Sequence, residues 1–183
     1  MPFGFFKKRK EENEKPLHYD PSNIRIQDLR KGFVLDYDLK SWEVTAEYEY
    51  DWGNEYFTYE FKLVSTDQTI YLYVEEDDEL VLSISQRIPF AKLDERVEDS
   101  LQQKGKPPRE IIFEGRVYYR DSESAGFAKE VDDPGMSEEF MNWQYVDETG
   151  KYILNIEQWQ DDEYEASVGQ FVSANAFSNI LPI

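Results

Sequence analysis

Val44-Thr45-Ala46-Glu47-Tyr48-Glu49-Tyr50-Asp51-Trp52-Gly53-Asn54, followed by Phe57-Thr58-Tyr59-Glu60-Phe61-Lys62-Leu63, is the stretch that decides the fold. Val44, Ala46, Tyr48, Tyr50 and Trp52 alternate with Glu43, Thr45, Glu47, Glu49 and Asp51, a period of two that belongs to a strand with one wet face. Phe57, Tyr59, Phe61 and Leu63 alternate in the same way against Thr58, Glu60 and Lys62, and Gly53-Asn54 between the runs supplies reversal residues. A long antiparallel hairpin is expected.

Outward from the hairpin, a short helical turn is read over Ile24 to Leu29, a first strand over Gly32 to Tyr37, and a meander through Ile70–Val74 and Leu80–Ile84. Leu93, Val97 and Leu101 recur every four residues before Gly105 and Pro107-Pro108, which predicts a short amphipathic helix with glycine as its stop. Strands resume at Ile111–Phe113 and Val117–Tyr119, then at about Phe140–Val146, Tyr152–Trp159 and Tyr164–Val172, and the apolar end at Phe177–Pro182 is expected to dock on the body. A near repeat, Asp77-Asp78-Glu79-Leu80-Val81-Leu82-Ser83 against Asp161-Asp162-Glu163-Tyr164-Glu165-Ala166-Ser167, with Gly32-Phe33-Val34 against Gly115-Arg116-Val117, suggests internal duplication. The expected fold is mainly β: two related antiparallel meander or barrel-like lobes, 24–90 and 109–183, joined by a helix and linker at 91–108, after a basic aromatic tip and polar linker at 1–23.

The chain of 183 residues with 40% apolar composition can bury a real core. Its formal charge of −19 excludes general nucleic-acid binding, which needs a Lys/Arg surface, and leaves cationic partners open. Without cysteine there is no disulfide, thiolate nucleophile or zinc-thiolate site, in keeping with a cytoplasmic location. The single histidine, His18, rules out a histidine triad and a multi-histidine metal site, and reads as a solvated linker residue.

Against the acidic body stands one basic run, Lys7-Lys8-Arg9-Lys10, directly behind Phe3, Phe5 and Phe6. Aromatics beside cations suit a headgroup layer over anionic lipid, and the same composition also describes a solubilising tail. The acidic turns Glu75-Glu76-Asp77-Asp78-Glu79 and Asp161-Asp162-Glu163 could hold a polyamine or another cation, or serve only as solvated hairpin tips. Asp121-Ser122-Glu123-Ser124-Ala125-Gly126 with Asp132 matches a calcium loop poorly, because Ala125 brings no ligand and Asp132 replaces the usual Glu. Glu43, Glu47, Glu49 and Glu60 are candidate paired carboxylates for hydrolysis, though their alternation already explains them as a wet face. Trp42, Trp52, Trp143 and Trp159 are expected to fill thin β cores.

The pattern resembles the bacterial family filed as domain of unknown function 4178. The residues that carry it are Asp36-Tyr37, Trp42-Glu43-Val44, Glu60-Phe61-Lys62-Leu63, Tyr71-Leu72, Glu75 to Leu80, Gly115, Tyr118-Tyr119, Glu157-Gln158-Trp159 and Gly169. The resemblance spans about Ile24 to Val172 and implies a non-catalytic β domain, often encoded beside small membrane proteins and polyamine-synthesis enzymes, with no active-site residues or cofactor to carry over. The function expected from the sequence is an accessory or adaptor domain at the cytoplasmic membrane surface, binding a membrane protein, anionic lipid or cationic partner. The alternative is a soluble polyamine or divalent-cation binder, and a carboxylate-dependent hydrolase stands third.

Overall fold

The computed structural model describes residues 17–133, 135, 137–160 and 163–183. The expected hairpin forms from β2 (Lys40–Asp51) and β3 (Phe57–Val64), between β1 (Phe33–Tyr37) on one side and β4 (Thr69–Glu76) and β5 (Leu80–Ile88) on the other. The second meander is β6 (Glu110–Phe113), β7 (Arg116–Glu130), β8 (Glu138–Asp147), β9 (Tyr152–Trp159) and β10 (Glu163–Val172), and β11 (Phe177–Pro182) returns to pair with β1. Every pairing is antiparallel. The predicted helix is α1 (Glu95–Lys104), capped by Asp94 accepting from the Arg96 N–H and stopped by Gly105 at φ 67°.

The two meanders are one continuous sheet. Strand β5 pairs with β10 from Leu82–Ile88 to Ala166–Val172, and the far end of β2 pairs with the far end of β7, Tyr48–Asp51 against Phe127–Glu130. Strands β2, β3, β4, β5, β10, β9, β8 and β7 therefore close into a ring of eight, the size whose interior is filled by side chains or holds one small ligand.

A β-bulge decides which side chains enter the ring. The register of β2 on β3 jumps between Val44 and Ala46, so Val44 opposes Leu63 while Ala46 opposes Lys62. Before the bulge Trp42 and Val44 face the first core with Phe61, Leu63 and Leu72. After it the alternation changes side: Glu47 opposes Phe61, and Tyr48 opposes Glu60. The uninterrupted run Val44 to Trp52 is thus not one face, as its alternation implied, but two. Strand β7 has the matching jump between Arg120 and Ser122, which leaves Tyr118 in the second core and turns Ser122, Ser124 and Gly126 toward Gln144, Asn142 and Phe140.

Each meander packs its outer face on its own apolar core. The first is covered by the turn at Ile26–Asp28 and by β11, the second by Leu93, Val97 and Leu101 of the α1 segment. Trp42 and Trp143 lie in these cores as expected, whereas Trp52 and Trp159 join Tyr50 and Phe140 in a third, aromatic cluster at the β2–β7 seam. His18 is not free in a linker: its Nε2 lies 2.9 Å from the Asp28 carbonyl and its ring packs on Tyr19 and Phe33.

Gly115 sits in the β6–β7 turn with φ 79°, where the β1–β2 turn has Leu39 at φ 61°; Gly32 precedes β1. The Gly32/Gly115 match therefore pairs residues in different places. The segment resembling a calcium loop is extended strand within β7, so Asp121 and Asp132 lie at different ends of a long ladder and cannot share one ion. Among the described residues no helix is long and apolar enough to cross a membrane.

Candidate functional site

Inside the ring the sheet's polar face encloses a cavity of about 160 Å³, the liquid volume of roughly five water molecules. Its acidic wall is Glu60 on β3, Glu157 on β9 and Glu75 at the end of β4; its aromatic wall is Tyr50, Trp52, Tyr73 and Phe140. A smaller compartment of about 20 Å³ continues from it past Glu60, Ser85, Asn155 and Glu157 to Tyr71, Arg87 and Glu165. Pairing explains the convergence: Glu165 opposes Glu157, which opposes Asn142, and Tyr48 opposes Glu60, which opposes Tyr73.

The two central carboxylates are held protonated more firmly than free glutamates. Burial pushes Glu60 up to about 7, with Glu165 adding to the rise while Arg87 and the Tyr50 hydroxyl oppose it. Burial first, then the negative charges of Glu60 and Glu165, push Glu157 up to about 8 against Arg87 and the neighbouring Trp159 indole. Each keeps partial exposure because it borders the cavity, yet protein surrounds it.

No cation of the described residues pairs with either. Arg87 is engaged by Glu165, with Nη1 at 2.7 Å from Oε1 and 2.6 Å from Oε2. The Tyr50 hydroxyl donates to Glu60 Oε1 at 3.2 Å, and the Tyr56 and Tyr73 hydroxyls both donate to Glu75. Among the described residues the buried side-chain atoms without a hydrogen bond are two amide oxygens and the indole nitrogens of Trp143 and Trp159. Asn142 Oδ1 and Asn155 Oδ1 are buried without a hydrogen bond, and Ser83 and Ser85, only 5% and 9% exposed, border the cavity with hydroxyls that have no partner among the described residues.

Of the acids singled out from the sequence, Glu60 and Glu75 reach this cavity. Glu43 is exposed, Glu47 is buried with Arg30 at 3.7 Å, and Glu49 pairs with Lys129 at 2.7 Å. The turn Glu75 to Glu79 is exposed beyond Glu75, and Glu163 opens β10. Because β5 and β10 run antiparallel, the Glu75–Glu79 turn and Glu163 stand at opposite ends of their ladder, on the order of 30 Å apart, too far to share a cation. Asp161 and Asp162 lie outside the described residues, as do Phe3, Phe5, Phe6, Lys7, Lys8, Arg9 and Lys10. Among the described residues no three His, Cys, Asp or Glu side chains are grouped to hold a metal ion.

Glu157, Asn142, Asn155 and Arg87 were not singled out as site residues by sequence reasoning. The available signal was that Glu157 is the lone acid inside the otherwise apolar and amide run Tyr152–Trp159.

The family model described as Domain of unknown function (DUF4178) matches residues 30–174. An "Uncharacterized protein" of Aquifex aeolicus (strain VF5) is 27% identical over 178 residues, covering 97% of this chain and 94% of its own length. No solved structure matches the chain.

Proposed function

We propose that this chain, which belongs to the DUF4178 family, is a non-enzymatic binding module that holds a small organic cation of the amine class inside its eight-stranded ring. One observation carries this: Glu60 and Glu157 border one cavity and neither has an ion-pair partner among the described residues, while Arg87 is engaged by Glu165. An ammonium group would satisfy the carboxylates, and the Tyr50, Trp52 and Phe140 rings offer π faces to its alkyl and cationic parts. A calcium ion needs six or more oxygens converging on one point, and among the described residues no group of three or more His, Cys, Asp or Glu supports it.

A hydrolase built on the same two carboxylates is less well supported. Acid and base roles need acidities pushed apart, whereas burial raises both here.

Calorimetry with spermidine and with calcium at physiological salt tests the proposal. Saturable heat from spermidine, lost in Glu60→Gln and Glu157→Gln, is the expected outcome; no saturable heat from the amine would end it.

A second role, adaptor at the inner face of the cytoplasmic membrane, draws its support from the contrast between Phe3–Lys10 and the −19 charge of the chain. Equal sedimentation with anionic liposomes by the full chain and by a form beginning at Ile24 would remove it.

A further inference from the structure

We propose that the cavity takes up its cation in exchange for a proton: empty, Glu60 and Glu157 share a proton, and an incoming ammonium displaces it to solvent. This rests on the amine-binding proposal above and adds its regulation. In the exchange one carboxyl O–H bond breaks, water or buffer takes the proton, and the ammonium's positive charge replaces it beside the carboxylates, so charge is conserved and no redox partner is needed.

The geometry of the ring leads to this. Glu60 and Glu157 come from different meanders and are brought to one cavity only because β5 pairs with β10 and β2 with β7. Two carboxylates lining one cavity with little solvent between them repel each other, and sharing a proton relieves that repulsion.

The surrounding groups do not supply a substitute charge. From β2, Tyr48 and Tyr50 face Glu60; from β4 come Tyr71, Tyr73 and Glu75; from β5, Arg87; from β10, Glu165; from β8, the neutral Asn142; and Glu130 of β7 lies across from Tyr48. Lys62 shares the face of Glu60 by alternation but does not border the cavity, and it pairs with neither acid. Arg87 is the one cation on the wall, and Glu165 holds it in a close two-oxygen contact. The positive charge at Glu60 and Glu157 therefore has to arrive as a proton or as a ligand. The direction of the acidity shifts agrees, since burial raises both groups into the neutral range, where the pair still holds a proton.

An acidic wall alone is not a site. Here it coincides with Ser83 and Ser85, residues 5% and 9% exposed that border the same cavity and whose hydroxyls have no hydrogen-bond partner among the described residues. With the Asn155 oxygen, which is buried without a hydrogen bond, they place polar groups in reach of an occupant beside the two carboxylates.

The test uses the full chain and 1,4-diaminobutane, whose ammonium groups stay charged through the range examined. Calorimetry at pH 6, 7 and 8, in pairs of buffers with different ionisation enthalpies, reads affinity and protons released together. The expected result is binding about tenfold or more tighter at pH 8 than at pH 6, with more protons released on binding at pH 6 to 7 than at pH 8. Saturable binding of equal strength at pH 6 and 8 with no buffer dependence overturns the exchange and leaves amine binding standing. No saturable heat at any pH overturns both.

A ligand-free measurement stands beside it. Carbon-13 NMR of the glutamate carboxyls should show two side chains titrating together near neutrality, with one lost and the other shifted in Glu60→Gln. All glutamates titrating in the ordinary range would overturn the shared proton whatever the ligand does.

Discussion

The Tyr50 hydroxyl donates to Glu60 Oε1 at 3.2 Å, from a side chain 6% exposed, across the first rung of strands inside the ring. Its donation favours the charged carboxylate, so the bond matters most when Glu60 is ionised. Tyr50→Phe should cost about 1–3 kcal/mol at pH 9 and distinctly less at pH 5, where the protonated acid needs no donor. Urea unfolding at the two pH values reads the difference. An equal cost at both would mean that Tyr50 contributes packing alone.

Glu157 gives the opposite kind of dependence. A carboxyl whose folded acidity is raised binds its proton more tightly in the folded chain, so between its ordinary range and about 8 the folded state holds more protons than the unfolded one. Stability is therefore lost as pH rises through that window. Glu157→Gln keeps the shape and removes the titration. The variant should gain on the parent by on the order of 2 kcal/mol between pH 5 and pH 8.5, read as the change in their difference in unfolding free energy. A difference that stays constant would show that Glu157 titrates alike in both states.

The seam that makes the ring depends on Gly169. It opposes Ser85 and Ile153, and a Cβ there would stand 2.0 Å from the Ile84 carbonyl oxygen and 2.8 Å from Ser85 Cα. These are backbone atoms, so no rotamer change relieves the clash. Gly169→Ala should cost about 3 kcal/mol or more, and hydrogen exchange should show amides of β5 and β10 losing protection before those of β2 and β3. A folded variant of unchanged stability would mean that the strands separate here without penalty.

The β1–β2 turn carries the reverse situation. Leu39 has φ 61° and is fully exposed, so its side chain buries nothing while its backbone occupies the left-handed region that glycine prefers. The corresponding turn between β6 and β7 has Gly115. Leu39→Gly should stabilise the chain by about 0.5–1 kcal/mol. A loss on thermal melting would indicate that Leu39 meets a partner in solution.

Much of this fold is legible in residue alternation. The β2–β3 hairpin, the meanders and the helix ending at Gly105 follow from it, because each signal is local. What alternation cannot carry is whether a polar face looks outward. Glu60 reads as a solvated position between Tyr59 and Phe61, and it does lie on the polar face; that face is curled inward by two pairings between residues far apart in sequence, β5 with β10 and β2 with β7. The bulge between Val44 and Ala46 hides for a similar reason: it changes which side each residue takes without interrupting the apolar-polar rhythm. Asn155 and Glu157 became a site only with closure, and no motif marks closure.

Asp147 ties the second meander together at the turn between β8 and β9. Its carboxylate, 2% exposed, accepts from Arg116 Nη1 at 2.8 Å, from the Thr149 hydroxyl at 2.8 and 2.9 Å, and from the N–H groups of Lys151 and Tyr152 at 3.2 and 3.1 Å. Arg116 in turn lies 3.6 Å above the Tyr152 ring. Burial pushes this acid up, but the hydrogen bonds and the guanidinium outweigh burial and hold it at about 2. A depressed acid supports the fold above its ordinary range and ceases to do so as pH falls toward 2, the reverse of Glu157. Asp147→Asn should therefore melt below the parent at pH 7, with the gap narrowing through pH 4 and closing near pH 2, followed by circular dichroism. A gap of the same size at every pH would assign the loss to the shape of the side chain and not to its charge.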